Sequence, residues 1–277
     1  MLIWFVTGAS RGFGRQLTEL ALERGDAVVA TAREPAALAS ELGHHERLLT
    51  ATLDVTDAQA AQAAVAGGLE RFGAIDVLVN NAGRGLIGAV EEASETEVRA
   101  VFENNVFGAL AVTRAVLPSM RERRAGTIVN VSSVGGMASR SGGGIYGGTK
   151  FAIEGISEAL RAELAPLGIR VVIVEPGAFR TDFHDPGSIH FSERVIDDYA
   201  STAGEFREAA ATTNHLQRGD PRKAAAAMIA AATAADPPQR LVLGADALAR
   251  IGAKLDQVRA DLDAWHEVTV STDLTDG

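Results

Sequence analysis

Short runs of apolar, largely β-branched residues recur seven times along the chain, and helical patterns separate them. This alternation is typical of right-handed βαβ units, which build a parallel sheet. Because the runs are apolar almost without interruption, we expect the sheet to be covered on both faces. The predicted strands are 2–6, 27–31, 48–53, 77–79, 127–131, 170–174 and 241–243. The clearest predicted helices are 15–23, 58–72, 95–123 and 151–164.

Length and composition indicate one folded domain. The chain has 277 residues, of which 47% are hydrophobic and 22% are charged. This composition is ordinary for a globular protein, and α/β folds of this length are commonly a single domain. We therefore predict one domain that spans residues 1–277.

Charge and residue content argue against several kinds of partner and site. The net charge is −10 and no basic tract is present, so nucleic acid and anionic membrane surfaces are poor candidate partners. No apolar run reaches the roughly 18 residues that a membrane span needs. The absence of cysteine removes disulfides and thiolate nucleophiles, and it fits a cytoplasmic protein. The six histidines lack the HExxH spacing of helix-borne zinc sites, so we expect no catalytic metal.

A glycine-rich loop, TGASRGFG at 7–14, follows the first predicted strand and opens the first helix. Its glycines let the backbone turn sharply and approach a pyrophosphate closely. The free N–H groups and the positive dipole end of the helix favour the anion. In this strand–loop–helix position the loop predicts a dinucleotide site.

One of the two tyrosines stands four residues before a lysine, in GGGIYGGTK at 142–150. Residues four apart on a helix share a face, so Tyr146 and Lys150 can project into the same cleft. A tyrosine has an ordinary pKa of about 10, which makes it a sluggish proton donor at neutral pH. A nearby ammonium favours the phenolate, so we expect Lys150 to lower the pKa of Tyr146 toward the working pH.

The glycines around this tyrosine weaken the helix that carries it, by on the order of 1 kcal/mol each in a helix interior. We expect Gly147 and Gly148 to permit close approach of a neighbouring helix or of the cofactor. Gly142, Gly143 and Gly144 are predicted to form a pliant loop beside the substrate.

The spacing Gly-x-x-x-Gly-x-Gly and the Tyr-x-x-x-Lys pair resemble the short-chain dehydrogenase/reductase superfamily, in its shorter, single-domain subfamily. Further matches follow in order across residues 2–181: Asn80-Asn81-Ala82-Gly83, Asn105, Ser132-Ser133, Pro176-Gly177 and Thr181. The resemblance implies a Rossmann-type doubly wound α/β fold, with a seven-stranded parallel sheet and helices on both faces. Between the tyrosine and the lysine, members of the family more often carry Ser, Ala or Cys than glycine.

The resemblance also implies an NADP-dependent oxidoreductase of the carbonyl reductase or alcohol dehydrogenase type, which interconverts a ketone and its secondary alcohol. Tyr146 would be the general acid and base, and Lys150 would hold the nicotinamide ribose. Ser133 would hydrogen bond to the substrate carbonyl oxygen, and Asn105 would support a water relay. The implied cofactor-binding residues are Gly8, Ser10, Arg11, Gly12, Phe13, Gly14, Arg33, Asp54, Val55, Asn81, Ala82, Gly83, Tyr146, Lys150, Pro176, Gly177, Phe179 and Thr181.

The choice between NADPH and NADH depends on charge at the end of the second strand. An acidic residue there would accept the ribose 2′-OH and repel a 2′-phosphate, but this chain has Ala32 followed by Arg33. Arg33 and Arg11, brought near each other by the fold, would form a clamp for a 2′-phosphate; the alternative is that both are solvated surface residues. We therefore predict NADPH over NADH. Asp54 fits an adenine contact or a cap on the next helix equally well.

Residues 181–220 have no clear strand and are too long for a plain connection, so we predict a lid over the substrate. The aromatic residues of this segment, together with Phe179, suggest an apolar or ring-bearing ketone. The predicted substrate pocket comprises Ile145, Phe183 and His184, although a solvated loop histidine is the other interpretation of His184.

Residues 245–270 are predicted to form a C-terminal amphipathic helix. Apolar residues step by three and four along it, at Leu248, Ile251, Leu255, Val258, Leu262 and Trp265. Either the body of the same subunit or a second subunit must cover this stripe. The family resemblance also suggests a homodimer or homotetramer built on the long helices.

Two other functions stay open at this stage. One is a non-catalytic NADP(H)-binding sensor or scaffold, against which the complete Asn-Ser-Tyr-Lys set argues. The other is an isomerase or dehydratase that uses the nucleotide transiently; relatives of that kind usually have a different glycine spacing and a larger substrate domain.

Overall fold

The computed structural model describes residues 1–43, 45–185 and 187–274. Seven parallel strands form one sheet, and two short strands form a second, parallel pair. The strands are β1 (Ile3–Val6), β2 (Ala27–Ala32), β3 (Leu48–Thr52), β4 (Val77–Asn80), β5 (Gly85–Ile87), β6 (Gly126–Val131), β7 (Ile169–Pro176), β8 (Ile189–Phe191) and β9 (Arg240–Leu243). The predicted seven-stranded parallel sheet is confirmed.

Helices cover both faces of this sheet. They are α1 (Gly12–Glu23), α2 (Pro35–Leu42), α3 (Ala58–Phe72), α4 (Glu95–Phe102), α5 (Gly108–Arg123), α6 (Gly144–Leu164), α7 (Glu205–Thr212), α8 (Pro221–Thr233), α9 (Ala245–Ala264) and α10 (His266–Val270). One core cluster joins α1, α2 and α8 to the sheet, and a second joins α3, α5 and α6 to its other face. The strands carry residues that are buried on both faces, which is why they read as continuous apolar runs.

The strand order β3-β2-β1-β4-β6-β7-β9 indicates where on the sheet a ligand would bind. The chain runs outward from β1 to β3 and then returns to β4 on the other side of β1. In open α/β sheets a ligand binds in the crevice at the carboxyl ends of the strands, where this reversal occurs. The loops after β1 and β4 meet at that crevice.

The long helix predicted over 95–123 is interrupted. The helix α4 ends at Phe102, a π-helical turn covers Glu103–Phe107, and α5 begins at Gly108. A Cβ on Gly108 would lie 2.7 Å from Cγ2 of Val55, so glycine permits the close packing at this point. Wide helical turns of this kind are frequent at functional sites, and this one contains Asn105.

The segment 181–220 contains more regular structure than predicted, apart from residue 186, which lies outside the described residues. The prediction of no strand is wrong, because Ile189–Phe191 pairs with Gly85–Ile87. A Cβ on Gly85 would lie 2.8 Å from Cγ1 of Ile189, so the pairing depends on glycine. A three-residue strand with one buried residue is too short to show a period of two. The segment also contains the helix α7.

The C-terminal residues form α9 and α10, so the predicted helix is present. Within the predicted stripe, however, only Ile251 is buried, where it packs with Ala247 and Val134, and Leu248 at the start of α9 is 67% exposed. Further along, Leu255 is 53% exposed and Trp265 is 64% exposed. The body of the same subunit therefore does not cover the distal part of the stripe. Among the described residues, no helix combines the length and apolar character that a bilayer crossing needs.

Candidate active site

A cavity of about 790 Å³ lies between the carboxyl edge of the sheet and the segment 181–220. The structure brings most of the predicted site residues to its wall. They are Gly8, Ser10, Arg11, Gly12, Phe13, Arg33, Asp54, Val55, Asn81, Ala82, Gly83, Ser133, Tyr146, Lys150, Pro176, Gly177, Phe179, Thr181, Phe183 and His184. The predicted residues Gly14, Asn105 and Ile145 do not line the cavity.

The glycine-rich loop is held to the loop after β4 by one side chain. Asn81 donates from Nδ2 to the carbonyl oxygens of Thr7 and Gly8, at 2.9 and 3.1 Å. In return, the hydroxyl of Thr7 accepts the backbone N–H of Asn81 at 2.9 Å. A Cβ on Gly14 would lie 2.3 Å from the Gly8 carbonyl oxygen, so Gly14 supports the loop from below instead of lining the cavity. These contacts hold the glycine-rich loop in place at the wall of the cavity.

Asn105 supports the site from behind the wall. Its Oδ1 accepts the backbone N–H of Arg84 at 2.8 Å, and its Nδ2 donates to the Arg84 carbonyl at 2.9 Å and to Oγ1 of Thr149 at 3.0 Å. The side chain therefore links the loop after β4 to α6. A Cβ on Gly83 would lie between the Asn105 Oδ1 and the Lys150 ammonium, at 3.5 and 3.7 Å. The geometry thus includes a positioning role for Asn105, and the water relay stays a prediction.

Lys150 is buried and points away from bulk solvent. Its Nζ donates to the carbonyl oxygen of Val131 at 2.8 Å and lies 5.8 Å from the ring centroid of Tyr146. Burial lowers the pKa of Lys150 to about 8, although the carboxylate of Glu154 opposes this change. An ammonium donates three hydrogen bonds, so two remain for other partners in the cavity.

The pKa of Tyr146 is shifted in the direction opposite to the one expected. Burial disfavours the phenolate and raises the pKa of Tyr146 to about 12, while a hydrogen bond with Ser133 opposes the rise. The expected lowering by Lys150 is wrong for this structure, because the ammonium is drawn to the Val131 carbonyl and burial dominates. The phenol is therefore in its proton-donating form at neutral pH.

An ion cluster lies beneath Lys150, one helical turn further along α6. Burial raises the pKa of Glu154, although its contacts with Ser132 and Arg240 oppose this rise. The guanidinium of Arg240 pairs with Glu154, and it donates to Oε1 of the fully buried Glu175 at 2.6 Å. Sequence analysis did not identify this cluster, because its members come from α6, β7 and β9.

The two glycines between Tyr146 and Lys150 differ. A Cβ on Gly147 would lie 2.6 Å from the Ser139 hydroxyl and 3.2 Å from the Gly135 carbonyl oxygen, so this glycine permits the close approach of a loop. A Cβ on Gly148 would lie 3.7 Å from Phe102, which is an ordinary contact. The prediction of close approach therefore fits Gly147, with a loop as the neighbour, and not Gly148.

Arg11 and Arg33 border the cavity but face different groups. A Cβ on Gly187 would lie 3.1 Å from Nη1 of Arg11, so this guanidinium contacts the segment 181–220. Arg33 acts instead on Asp54, whose carboxylate is held by the backbone N–H and hydroxyl of Thr56 at 3.0 and 2.7 Å. Those two hydrogen bonds, aided by Arg33, place the pKa of Asp54 below its ordinary value. Both arginines line the cavity, and their clamp on a 2′-phosphate stays a prediction.

The segment 181–220 closes directly on the glycine-rich loop. A Cβ on Gly12 would contact the Thr181 side chain at 3.4 Å, and the Gly12 N–H donates to Oδ2 of Asp182 at 3.3 Å. A carboxylate thus binds the N–H group that sequence analysis assigned to a pyrophosphate. Asp182, Asp185 and His215 also bring one ligand atom each within 4.8 Å of one another; the prediction of no metal stays a prediction.

The remaining wall of the cavity is aromatic. The ring of Phe183 lies 5.6 Å from the ring of Tyr146 and 6.1 Å from His184. Burial, followed by the charge of Arg140, lowers the pKa of His184, so its imidazole is neutral at pH 7. Ile145 is turned from the cavity, because successive helix residues point about 100° apart and Tyr146 faces inward.

Sequence analysis missed several residues of this wall. Arg140, Gln217, Asp246 and Arg250 all line it, and so does Phe206, which the sequence placed only among the aromatic residues of 181–220. Arg140 lies between Ser133 and Tyr146 in the sequence, and this position was a signal that it borders the site. The others come from α7 to α9 and the loops between them, and no motif marks them.

Comparisons with known proteins agree with this geometry. A model of the short chain dehydrogenase family matches residues 3–188. The chain belongs to the short-chain dehydrogenase family. It is similar to a solved short-chain dehydrogenase from Streptomyces avermitilis, with 46% identity, a TM-score of 0.91, and coverage of 99% of this chain and 100% of the other.

Two further similar proteins bear on function. The chain is 38% identical over 244 residues to a 3-ketodihydrosphingosine reductase from Bacteroides thetaiotaomicron, with 87% of each covered. It is 29% identical to a short-chain dehydrogenase from Burkholderia cenocepacia solved in complex with NADP, at a TM-score of 0.73 and with 95% and 96% covered. The chain is therefore an oxidoreductase of this family.

Proposed function

We propose that this oxidoreductase uses NADP(H) to interconvert a hydrophobic ketone and its secondary alcohol, with Tyr146 as general acid and base. The observation that carries the proposal is the cavity itself: the glycine-rich loop forms one end, and Ser133, Tyr146 and Lys150 share the other. The ketone is supported by the relative that reduces 3-ketodihydrosphingosine and by the aromatic wall around Phe183.

The residues of this chain suggest a simple division of tasks. Bound NADPH would supply the hydride to the carbonyl carbon. Tyr146 donates its proton to the carbonyl oxygen as negative charge develops there, and Ser133 donates a hydrogen bond to the same oxygen. Lys150 uses its two free N–H donors on the nicotinamide ribose and stabilises the phenolate that remains after proton transfer.

Preference for NADPH rests on Arg33. Its side chain is exposed at the carboxyl end of β2, and within the described ranges it makes no ion pair at 4 Å or less. A guanidinium so placed suits a 2′-phosphate, and the Burkholderia relative binds NADP. Substituting Arg33→Gln should reduce the preference for NADPH over NADH at least tenfold in kcat/KM.

The first experiment is turnover of a panel of hydrophobic ketones with NADPH and with NADH. Tyr146→Phe should lower kcat by about 10²–10⁴-fold, because the general acid is removed. Tyr199→Phe is the matched control: this second tyrosine is partly exposed, lies outside the cavity wall and donates to Glu91 Oε2 at 2.7 Å. Equal turnover by Tyr146→Phe and the wild type would contradict the proposed role. Tight NADPH binding without turnover would favour the sensor.

We also propose that the protein is cytoplasmic and assembles as a homodimer or homotetramer through α5 and α6. The large side chains Phe107 and Phe151 support this interface, because they are 54% and 46% exposed at these helices. Light scattering of the full chain against Phe151→Ser tests it: a retained oligomer mass would argue against this face. A chain ending at Gly244 tests the separate contribution of α9.

A further inference from the structure

The end of the cavity beyond Tyr146 is basic, in a chain whose net charge is −10. Arg140 and Arg250 both line this end, whereas Arg11 and Arg33 border the end with the glycine-rich loop. The acidic side chain nearby is Asp246, and its Oδ2 accepts the backbone N–H of Ala178 at 2.9 Å. That carboxylate is engaged by the loop after β7, and its charge also acts on Arg140, where it opposes the lowering of the pKa.

Arg140 is held in place by an aromatic ring. Its guanidinium carbon lies 3.6 Å from the ring centroid of Phe206, a cation–π contact that orients the planar group. Phe206 in turn packs on Gly142 and Gly143, where added Cβ atoms would lie 2.9 and 3.7 Å from its ring. Gly142 therefore makes room for this ring, whereas the contact at Gly143 is an ordinary one.

The donors of this guanidinium meet no acceptor in the part of the protein that the structure describes. Within residues 1–43, 45–185 and 187–274, the Arg140 side chain makes no hydrogen bond or ion pair. Arg250 uses Nη2 on the carbonyl oxygen of Ala138 at 2.6 Å and keeps its other donors. Partial burial, followed by the like charge of Arg250, lowers the pKa of Arg140 to about 10, so it stays charged at neutral pH. Two like charges this close favour a bound anion.

Between this basic end and Tyr146 the wall is apolar. Phe183 lies against Tyr146, and Phe183 and Phe206 pack in one cluster with Ile87 and Ile189. A molecule with its carbonyl at Tyr146 would cross these rings before it reaches Arg140. The part of the cavity between Tyr146 and Arg140 is thus apolar, with a polar group at each end of it.

We propose that the substrate is a hydrophobic ketone that carries a carboxylate remote from its carbonyl, and that Arg140 binds this carboxylate with help from Arg250. A carboxylate accepts two parallel N–H donors from a guanidinium, which adds geometric selectivity to the charge. This inference rests on the proposed ketone reduction, and it names the class of ketone.

The test uses ω-benzoylalkanoates with three to six methylene groups and their methyl esters, as matched acid and ester pairs. For the best chain length, the wild type should prefer the acid at least tenfold in kcat/KM with NADPH. Arg140→Gln should bring this ratio close to one, Arg140→Lys should retain part of it, and Arg259→Gln on the exposed face of α9 should leave it unchanged. Raising the salt concentration should reduce the preference, because the site is open to solvent.

The two proposals fail separately. Esters reduced as well as acids at every length, or an Arg140→Gln variant that keeps the preference, would overturn the carboxylate site and leave ketone reduction intact. If neither series is reduced, calorimetric binding of the same pairs to the NADP⁺-saturated protein decides. Tighter binding of the acid that Arg140→Gln abolishes supports the site, and equal binding overturns it.

Discussion

The two walls of the cavity are built by different kinds of contact. On the sheet side, backbone groups and short side chains interlock: Asn81 and Thr7 exchange hydrogen bonds, and Gly14 packs directly under Gly8. On the lid side, residues 181–220 are held by a three-residue strand pair and by long side chains such as Arg207. We conclude that the sheet wall tolerates few substitutions, whereas the lid wall can open at a modest cost in free energy.

The largest expected effect is on the sheet side. Gly14→Ala places a Cβ 2.3 Å from the Gly8 carbonyl oxygen, and a backbone atom cannot yield cheaply. We expect a loss of about 1–3 kcal/mol in the free energy of unfolding and weaker NADPH binding. The control is Gly67→Ala on α3, where a Cβ meets nothing within 4 Å. Denaturant melts that fail to separate the two variants would contradict the interlocked wall.

Glu92 tests the lid wall. This buried carboxylate accepts the N–H groups of Ala89 and Ile196 at 2.8 and 2.9 Å and pairs with Arg207 at 3.0 Å. Burial opposes its ionisation, but these contacts outweigh burial and keep its pKa below the ordinary value. Glu92→Gln should loosen the lid by about 1–3 kcal/mol, seen as faster proteolysis within 181–220 and a raised KM.

The lowered pKa of Glu92 predicts that the stability of the lid depends on pH. Because the folded pKa of Glu92 is lowered, its stabilising effect is present above the unfolded value of 4.5 and is lost as pH falls through the folded value. Lid proteolysis should therefore increase in acid for the wild type and change less for Glu92→Gln. Glu95→Gln is the control, since the exposed Glu95 pairs with Arg99 on its own helix; an equal response from it would argue against Glu92 as the anchor.

Asp182 joins the two walls and gives a smaller effect. Its carboxylate accepts the Gly12 N–H at 3.3 Å, where an anionic pyrophosphate is proposed to bind. Asp182→Asn removes a like charge, so the dissociation constant for NADPH should fall roughly two- to fivefold. Asp185→Asn is the matched change, since Asp185 pairs with Asn214 and His215 instead. Unchanged affinity in a direct titration would show that the charge is screened.

The smallest effect distinguishes the two glycines of α6. Gly148→Ala should raise the free energy of unfolding by about 0.5–1 kcal/mol, because alanine is the better helix former and its Cβ would make an ordinary contact with Phe102. Gly147→Ala should give no gain, because its Cβ would meet Ser139 and the Gly135 carbonyl. Equal stabilisation by both would mean that the loop with Gly135 and Ser139 moves freely.

The sheet wall could be predicted from sequence because each of its parts is local. The loop at 7–14, the residues after β4 and the Tyr146–Lys150 pair are each a continuous stretch with its own physical signature. The sheet order then follows from βαβ handedness and brings the stretches together. Cofactor choice, substrate and the roles of the site residues stay predictions.

The lid wall could not be predicted because its contacts join distant segments. The strand Ile189–Phe191 is too short for a pattern, and Arg140, Phe206 and Arg250 meet only once α6, α7 and α9 are packed. The pKa of Tyr146 depends likewise on burial, which spacing does not reveal. Periodicity identified the apolar stripe of α9 but not that its distal part stays exposed.

The two tryptophans of the chain differ in exposure, because one lies in the core and the other at the end of that exposed stripe. Trp4 is 1% exposed in the sheet and donates from its indole to Asp26 at 3.1 Å, whereas Trp265 is 64% exposed beyond α9. Their fluorescence should therefore divide into a protected component from the core and a component that iodide quenches. Anything that covers the distal helix will shift and protect the second component alone, so the chain carries its own optical reporter of contact at α9.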